Sequence, residues 1–225
     1  AIKLHLKGNI REAIRYYQQI IKGEWNDPRV FANYGIILRN SGNLKEAETS
    51  FRKAIELNPS DANAHSNLGN LLRDLGNLKE AEISIRKAIQ LNPNFAESHS
   101  NLGSVQRDSG NLKEAENSFR KAIALNPNLV KSYFNLGSVL KDLGNLKEAE
   151  ISMRKAIQLN PNFAESHSNL GGILSDLGNL KEAEISFRKA IELNPHLVKA
   201  YYLLSKTKFS NENKFGFPYL VDETQ

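Results

Sequence analysis

The chain has 225 residues and no cysteine, which excludes disulfide frameworks, thiolate metal sites and cysteine nucleophiles. No apolar run approaches the roughly 18 residues that a membrane span needs, and no signal-peptide pattern opens the sequence. Apolar residues make up 40% of the chain and charged residues 24%, a composition typical of globular proteins and too apolar for a disordered chain. These features predict a soluble cytoplasmic protein with no membrane partner.

A seven-residue segment, Gly-Asn-Leu-Lys-Glu-Ala-Glu, recurs unchanged in five copies spaced 34 residues apart. Each copy continues into Arg-Lys-Ala-Ile and then Leu-Asn-Pro. Repetition at a fixed period of this length predicts an array of stacked structural repeats. We divide the chain into a partial repeat (1–27), repeats 1 to 5 (28–61, 62–95, 96–129, 130–163 and 164–197), a half repeat formed by one helix (198–210) and a non-helical tail (211–225).

The positions of glycine, asparagine and proline within a repeat predict two helices, A and B. In repeat 2, helix A runs from about Ala62 to Leu75 and stops at Gly76, because glycine accepts the left-handed conformation of a helix C-cap. Asn77 then stands at the N-cap of helix B with Glu80 three residues on, a capping-box arrangement. Helix B continues to about residue 91, where a following proline ends it. His65, Leu68, Gly69 and Leu72 form the packing stripe of helix A, and Leu78, Ala81, Ile85, Ala88 and Ile89 form that of helix B.

This pattern resembles the tetratricopeptide repeat (TPR), and the resemblance covers about 90% of the chain. It implies an all-α fold, a right-handed superhelical solenoid in which helix A lines the concave side. One repeat cannot bury its own apolar face, so stability comes from stacking on neighbouring repeats. The signature residues of the family are packing residues and say little about function. Repeat 4 fills the signature places with Tyr133, Leu136, Gly137, Leu140, Ala149, Met153, Ala156 and Pro161.

The face of helix A opposite its packing stripe, here called the A-helix surface, carries one asparagine in every full repeat. An amide both donates and accepts, so it matches the C=O and N–H of an extended peptide. This asparagine row resembles the ladder in the TPR superhelix of O-linked N-acetylglucosamine transferase, which holds extended protein substrates by their backbone. The alternative is that the amides only tie neighbouring helices A together. The asparagine row consists of Asn33, Asn67, Asn101, Asn135 and Asn169, and Leu203 ends it.

Two charged rows lie beside the asparagine row on the A-helix surface. They are predicted either to select charged side chains of the ligand or to form an Arg–Asp lattice between repeats, and the sequence leaves both open. The basic row is Arg39, Arg73, Arg107 and Lys141, and the acidic row is Asp74, Asp108, Asp142 and Asp176.

Two further rows on the A-helix surface, the floor row and the rim row, alternate in residue type along the array. A copied two-repeat block explains this alternation, since 75–103 and 143–171 differ at a single residue, so we infer no two-repeat ligand period from it. Phe134 is nevertheless a candidate contact for the ligand. The floor row is Ala32, Ser66, Ser100, Phe134, Ser168 and Tyr202, and the rim row is Glu97, Lys131, Glu165 and Lys199.

An enzyme is the first alternative, and the residues do not favour it. His65, His99 and His167 occupy packing places, and side chains one repeat apart are too distant to share a zinc ion. No phosphate loop, His-Glu-x-x-His or Gly-x-Ser-x-Gly motif appears. We therefore expect no catalytic residues and no cofactor. The chain could still be the substrate-recruitment arm of a larger transferase of the glycosyltransferase or sulfotransferase type.

Nucleic acid is the second alternative, because the net charge is +5 with a pI near 9.3. An RNA groove needs unneutralised cations and regular aromatic platforms, whereas the basic residues from Arg73 to Lys141 are each followed by aspartate. The carboxylate clamp of TPR co-chaperones is also incomplete: Asn70, Asn101 and Lys131 fit it, while Ser66 and Asn135 stand where basic residues belong. We expect an extended protein or peptide segment as partner and no nucleic acid.

On the outer face of helix B, a Glu and an Arg recur four residues apart in every repeat, as in Glu82 and Arg86. Such pairs support an exposed helix, so we expect a solvated surface there. The tail carries aromatic residues before Asp222 and Glu223. It is expected either to cover the last helix or to enter the groove of its own or a neighbouring molecule, which would allow self-association through 211–225.

Overall fold

The computed structural model describes residues 9–23 and 26–214, with side chains as far as Thr207. The described residues form twelve α-helices and no strands. The helices are α1 (Ile10–Lys22), α2 (Pro28–Asn40), α3 (Leu44–Leu57), α4 (Ala62–Asp74), α5 (Leu78–Leu91), α6 (Ala96–Asp108), α7 (Leu112–Leu125), α8 (Val130–Asp142), α9 (Leu146–Leu159), α10 (Ala164–Asp176), α11 (Leu180–Leu193) and α12 (Val198–Lys214).

The chain divides into two units, unit 1 (Ala1–Pro127) and unit 2 (Asn128–Gln225). In unit 1, α2, α4 and α6 are the helices A of repeats 1 to 3, and α3, α5 and α7 are their helices B. In unit 2, α8 and α10 are helices A, α9 and α11 are helices B, and α12 is a final helix A. Within each unit, every helix A packs on its own helix B, which packs on the next helix A. The fold is an all-α helical-repeat solenoid.

Glycine ends helix A of each full repeat, as predicted. Gly76 adopts φ +79°, and the next residue, Asn77, donates its N–H to the Leu72 carbonyl at 2.8 Å. This pair of features is the Schellman ending that a left-handed residue allows, and a side chain with a Cβ would strain it. The same positive φ recurs at Gly42, Gly110, Gly144 and Gly178.

The predicted capping box at the start of helix B does not form, so that prediction is wrong. The Asn77 side chain makes no capping hydrogen bond. Glu80, the expected partner, instead accepts a hydrogen bond at 2.6 Å from Arg52 on the preceding helix B. The Glu80 carboxylate thus accepts a charge-assisted hydrogen bond from a guanidinium instead of a hydrogen bond from a backbone N–H. The charge-assisted bond is the stronger of the two.

Helices A and B approach closely through a glycine on helix A. In repeat 2, a Cβ on Gly69 would stand 3.0 Å from the Ala81 carbonyl oxygen and would collide with the Ile85 side chain. The residues of helix B that face these glycines are fully buried, which makes them the centre of each repeat. They are Phe51, Ile85, Phe119, Met153 and Phe187.

Repeat 3 departs from the others in its core. Gln106 is 4% exposed and accepts a hydrogen bond at 2.6 Å from the hydroxyl of Ser118. The polar pair is bonded, as a buried polar group must be. The other full repeats place a fully or almost fully buried leucine there, at Leu38, Leu72, Leu140 and Leu174.

At the carboxyl end, α12 continues to Lys214, four residues beyond the predicted boundary at residue 210. The prediction of a non-helical segment is therefore wrong for 211–214, while 215–225 lie outside the described residues. The proposed groove entry of the tail falls on those residues. Within the described part of the chain, no helix is long and apolar enough to cross a membrane.

Candidate functional site

The asparagine row occupies the same place on every helix A. Within unit 1 it lies on α2, α4 and α6, and within unit 2 on α8 and α10. Each of these asparagines is half-buried, so part of every one is exposed on the A-helix surface. The rigid helices position these amides, because the glycine and proline at the ends of each repeat set the same register in each.

Two of these amides donate to serines on the preceding helix A. Asn101 Nδ2 donates to Ser66 Oγ at 3.0 Å in unit 1, and Asn169 Nδ2 donates to Ser138 Oγ at 3.3 Å in unit 2. The serine partner changes because Phe134 fills the place in repeat 4 that Ser66 fills in repeat 2. Each amide keeps a second N–H and its Oδ1, so tying helices together and binding a ligand are compatible roles.

The charged rows form ion pairs between successive repeats. Arg39 pairs with Asp74 at 2.7 Å, and Arg73 reaches Asp108 at 3.6 Å. In unit 2, Lys141 Nζ lies 3.1 Å from Asp176. The sequence left two roles open for these rows, an Arg–Asp lattice between repeats and the selection of charged ligand side chains. The contacts form the lattice. The pairing already neutralises most of the charge that these rows would offer a ligand.

Arg107 and Asp142 belong to the same charged rows. Arg107 lies 3.1 Å from its own neighbour, Asp108, so a single acidic side chain meets two arginines in unit 1. Asp142 is exposed on the last turn of α8. A polar strip therefore borders the asparagine row within each unit.

The floor row differs between the units. Phe134 is half-buried and its ring centroid lies 5.0 Å from that of Phe163, while Tyr202 is 64% exposed. Ser168 is 2% exposed, and its Oγ has no hydrogen-bond partner among the described residues. Asn101 bonds Ser66, but the residue at the equivalent place for Ser168 is Leu203, whose side chain has no hydrogen-bond donor.

The histidines have a structural partner. His65, His99 and His167 each place Nε2 within 2.8–3.0 Å of the carbonyl oxygen of the proline that ends the preceding repeat. This bond ties the start of helix A to the turn before it, and it requires the Nε2–H form of the ring. Among the residues whose side chains the structure describes (9–23 and 26–207), no three His, Asp or Glu side chains cluster as a metal site would require.

The predicted Glu–Arg pairs on the outer face of helix B all form, at 2.7–2.9 Å. Sequence reasoning missed their extension across repeats: Arg52 also reaches Glu80, and Arg154 also reaches Glu182 at 2.8 Å. Hydrogen bonds to Glu80 and Glu48 raise the pKa of Arg52. The available signal was a recurrent spacing of 28 residues between an arginine and the glutamate it reaches in the next repeat. This spacing equals the 34-residue repeat less the 6 residues that separate Glu80 from Arg86.

Comparison with known proteins places these repeats in a family. TPR-repeat profiles match residues 35–76 and 103–144, and tetratricopeptide-repeat profiles match 62–95, 130–163 and 164–197. The chain belongs to the tetratricopeptide-repeat family. A search of curated proteins found no match.

Solved TPR structures resemble this TPR chain over most of its length. YrrB, described as a TPR protein with an unusual peptide-binding site, is 25% identical with a TM-score of 0.61, covering 83% of this chain and 96% of that one. MamA is 27% identical with a TM-score of 0.63, covering 73% and 96%. Pseudomonas aeruginosa pilF, 21% identical with a TM-score of 0.73 over 92% and 88%, shares the fold. The chain therefore has the architecture of protein-interaction scaffolds.

Proposed function

We propose that the A-helix surface of each unit binds an extended polypeptide through hydrogen bonds from the asparagine row to the main chain of the ligand. The observation that carries the proposal is one half-buried amide at the same place on each helix A: Asn33, Asn67 and Asn101 in unit 1, Asn135 and Asn169 in unit 2. A peptide-binding site in the YrrB structure, which is 25% identical, supports the same role for this chain.

The chemistry of the amides suits a peptide backbone. Asn101 and Asn169 each use one N–H on a neighbouring serine, and the bond holds the amide in one orientation. The remaining N–H and Oδ1 match the C=O and N–H of one peptide unit of the ligand. Helices pack about 8–10 Å apart and an extended chain advances about 3.3 Å per residue, so neighbouring asparagines in a unit meet roughly every third ligand residue.

Binding of this kind does not depend on the side chains of the ligand, because it uses main-chain groups. The basic and acidic rows play a lesser part, since Arg73, Lys141 and Asp108 are already paired within the chain. Arg107, itself paired with Asp108, and Asp142 lie at the edge of the same strip, and all five residues are secondary contacts for charged ligand side chains. The function is that of a non-enzymatic binding scaffold.

The test is fluorescence anisotropy with a panel of labelled 12-residue synthetic peptides of unrelated sequence. Asn67→Ala with Asn101→Ala removes two amides from unit 1, and Asn135→Ala with Asn169→Ala removes two from unit 2. Each lost hydrogen bond costs about 0.5–1.5 kcal/mol. The variant lacking all four amides is expected to bind every peptide at least tenfold more weakly than the parent.

Two controls accompany this experiment. Asn117→Ala removes an exposed amide on α7, a helix B, and should leave affinity unchanged. Peptides with N-methylated backbone amides should bind the parent weakly, because methylation removes the main-chain donors. Equal binding by the parent and the four-amide variant would show that the asparagines serve only to connect helices, and the proposal would be wrong.

A further inference from the structure

Two serines on helices A bond the asparagine of the following repeat. In unit 1, Ser66 on α4 accepts a hydrogen bond from Asn101 Nδ2 at 3.0 Å, and Ser66 is 3% exposed, so water competes little for this bond. In unit 2, Ser138 on α8 accepts from Asn169 Nδ2 at 3.3 Å. Each bond joins an asparagine of the proposed peptide site to a residue that lies outside the asparagine row.

The two serines occupy different places on helix A. Ser66 belongs to the floor row, whereas Ser138 lies one turn beyond the floor residue of its own helix, Phe134. The opposite case is Ser168, a floor serine that is followed in the next repeat by Leu203, and its buried hydroxyl has no hydrogen-bond partner among the described residues. In these repeats the bond therefore accompanies an asparagine, whichever of the two places holds the serine.

The Ser138 hydroxyl determines which end of the Asn169 amide faces it. The hydroxyl donates to the Phe134 carbonyl, one turn back on α8, at 3.0 Å. It has a single hydrogen, so Ser138 Oγ can only accept from the amide, and the group that faces it is Nδ2 rather than Oδ1. The Asn169 amide is thus held against turning over, and its Oδ1 and second N–H keep one orientation.

Asn67 in unit 1 has no serine of this kind. The two equivalent places on the preceding helix, α2, hold Ala32 and Ile36, whose side chains cannot accept a hydrogen bond. Asn67 and Asn101 are both half-buried and lie at the same place on consecutive helices A. Unit 1 therefore contains two equivalent asparagines, one bonded to a serine and one without this serine, which separates the effect of the serine from that of the amide.

We propose that Ser66 and Ser138 are positioning residues of the peptide site, which hold Asn101 and Asn169 in the orientation that meets the main chain of the ligand. The proposal rests on the proposed function, since it concerns the same asparagines. A free side chain loses rotational freedom when a ligand binds, which lowers affinity, whereas an amide held by a serine has lost that freedom on folding. Removing the serine should weaken binding about 2- to 10-fold, although the serine does not touch the ligand.

The test in unit 2 is a double-mutant cycle on peptide affinity, measured with the labelled peptide panel. The full chain carries Asn67→Ala and Asn101→Ala, so that the asparagines of unit 2 dominate the measured affinity. Ser138→Ala should weaken binding about 2- to 10-fold when Asn169 is present and should have no effect beside Asn169→Ala, because the serine then has no amide to position. Ser138→Thr, which keeps the hydroxyl, should bind like the chain with Ser138.

The equivalent cycle in unit 1 combines Ser66→Ala with Asn101→Ala, in a chain that carries Asn135→Ala and Asn169→Ala. The same dependence is expected: Ser66→Ala weakens binding only while Asn101 is present. Circular dichroism of every variant at the temperature of the binding assay checks that the chain is folded.

Two further variants provide a control and a gain of affinity. Ser168→Ala removes a buried floor hydroxyl that has no asparagine to position, and should leave the affinity of unit 2 unchanged. Ala32→Ser supplies Asn67 with the hydroxyl that Asn101 finds in Ser66. It should strengthen binding by unit 1 about 2- to 10-fold, and only while Asn67 is present.

The outcomes separate this proposal from the function on which it rests. If the asparagine substitutions do not weaken binding, the proposed function is wrong and the positioning role is wrong with it. If they weaken binding while Ser66→Ala and Ser138→Ala do not, the serines only connect helices, and the proposed function stands without the positioning role. An equal loss from Ser138→Ala with and without Asn169 would also overturn the proposal, since the serine would then act through the fold rather than through the amide.

Discussion

Unit 1 and unit 2 are built from the same repeat, yet a few residues on helix A give them different surfaces. In unit 1 the small floor allows Asn101 to bond Ser66 on the preceding helix. In unit 2 the ring of Phe134 takes that place, and Asn169 bonds Ser138 instead. Apart from Gln106 in repeat 3, the cores of the two units are built from the same packing places, whereas the hydrogen bonds between helices A depend on single floor residues. Changes to the core should therefore act alike in both units, and changes to the surface should not.

The largest expected effect tests the shared core. Gly103→Ala in unit 1 and Gly171→Ala in unit 2 would place a Cβ 2.9 Å from Phe119 and 2.7 Å from Phe187, rings that are fully buried. Overpacking of this kind costs about 1–3 kcal/mol. Urea unfolding should show similar losses for the two variants.

Gly172→Ala is the matched control, because this glycine adjoins Gly171 on the same helix. Its Cβ would meet only the flexible end of Lys141, and alanine is the better helix former by about 1 kcal/mol. We expect no loss of stability. A loss as large as that of Gly171→Ala would contradict the assignment of the close approach to one glycine.

The second prediction concerns the polar residue in the core of unit 1. Gln106→Leu introduces the residue that the other full repeats bury at this place, and we expect a gain of about 1–2 kcal/mol in the free energy of unfolding. Ser50 and Ser84, the counterparts of Ser118 in repeats 1 and 2, are 6% and 8% exposed, and neither hydroxyl is a buried atom without a hydrogen-bond partner. Gln106→Ala should lower stability by leaving a cavity. Denaturant titration that finds Gln106→Leu no more stable than the parent would refute this view of repeat 3.

The third prediction compares equivalent serines of the floor row. Ser66→Ala removes the acceptor of Asn101 and should cost about 0.5–1.5 kcal/mol. Ser168→Ala removes a buried hydroxyl with no partner among the described residues, and should be neutral or stabilising. Thermal unfolding of both variants measures the difference. Equal losses would mean that the bond to Asn101 contributes nothing to stability.

The smallest expected effect is in the charged rows. The ion pair of Arg39 and Asp74 has side chains 30% and 29% exposed, against 37% and 49% for Lys141 and Asp176. Exposed pairs contribute about 0.2–1 kcal/mol, and arginine forms the more rigid contact. Double-mutant cycles should give the larger coupling for the pair in unit 1. Coupling in both should decline with salt, and a value independent of salt would contradict a surface lattice.

Sequence reasoning identified the repeats and the places of the asparagine and charged rows, and it erred where side chains bond to partners that are distant in the sequence. The ends of helix A were predictable from Gly76 and its counterparts, since a left-handed residue acts locally. The capping box was not, because Glu80 bonds Arg52 of the preceding repeat. The roles of the charged rows stayed open for the same reason: the spacing placed Arg39 and Asp74 on one surface without deciding whether they meet each other or a ligand.

The sequence by itself determined the all-α repeat, its 34-residue period and the surface on which the asparagines lie, because periodicity, glycine and proline act within one or two helices. Only the tertiary structure decided which serine Asn169 bonds, why the Ser168 hydroxyl has no partner among the described residues, and that His65 binds the Pro59 carbonyl. These contacts depend on the size and direction of side chains brought together by packing. A local sequence pattern specifies which residues face a neighbouring helix, whereas the packing of the helices determines which of them touch.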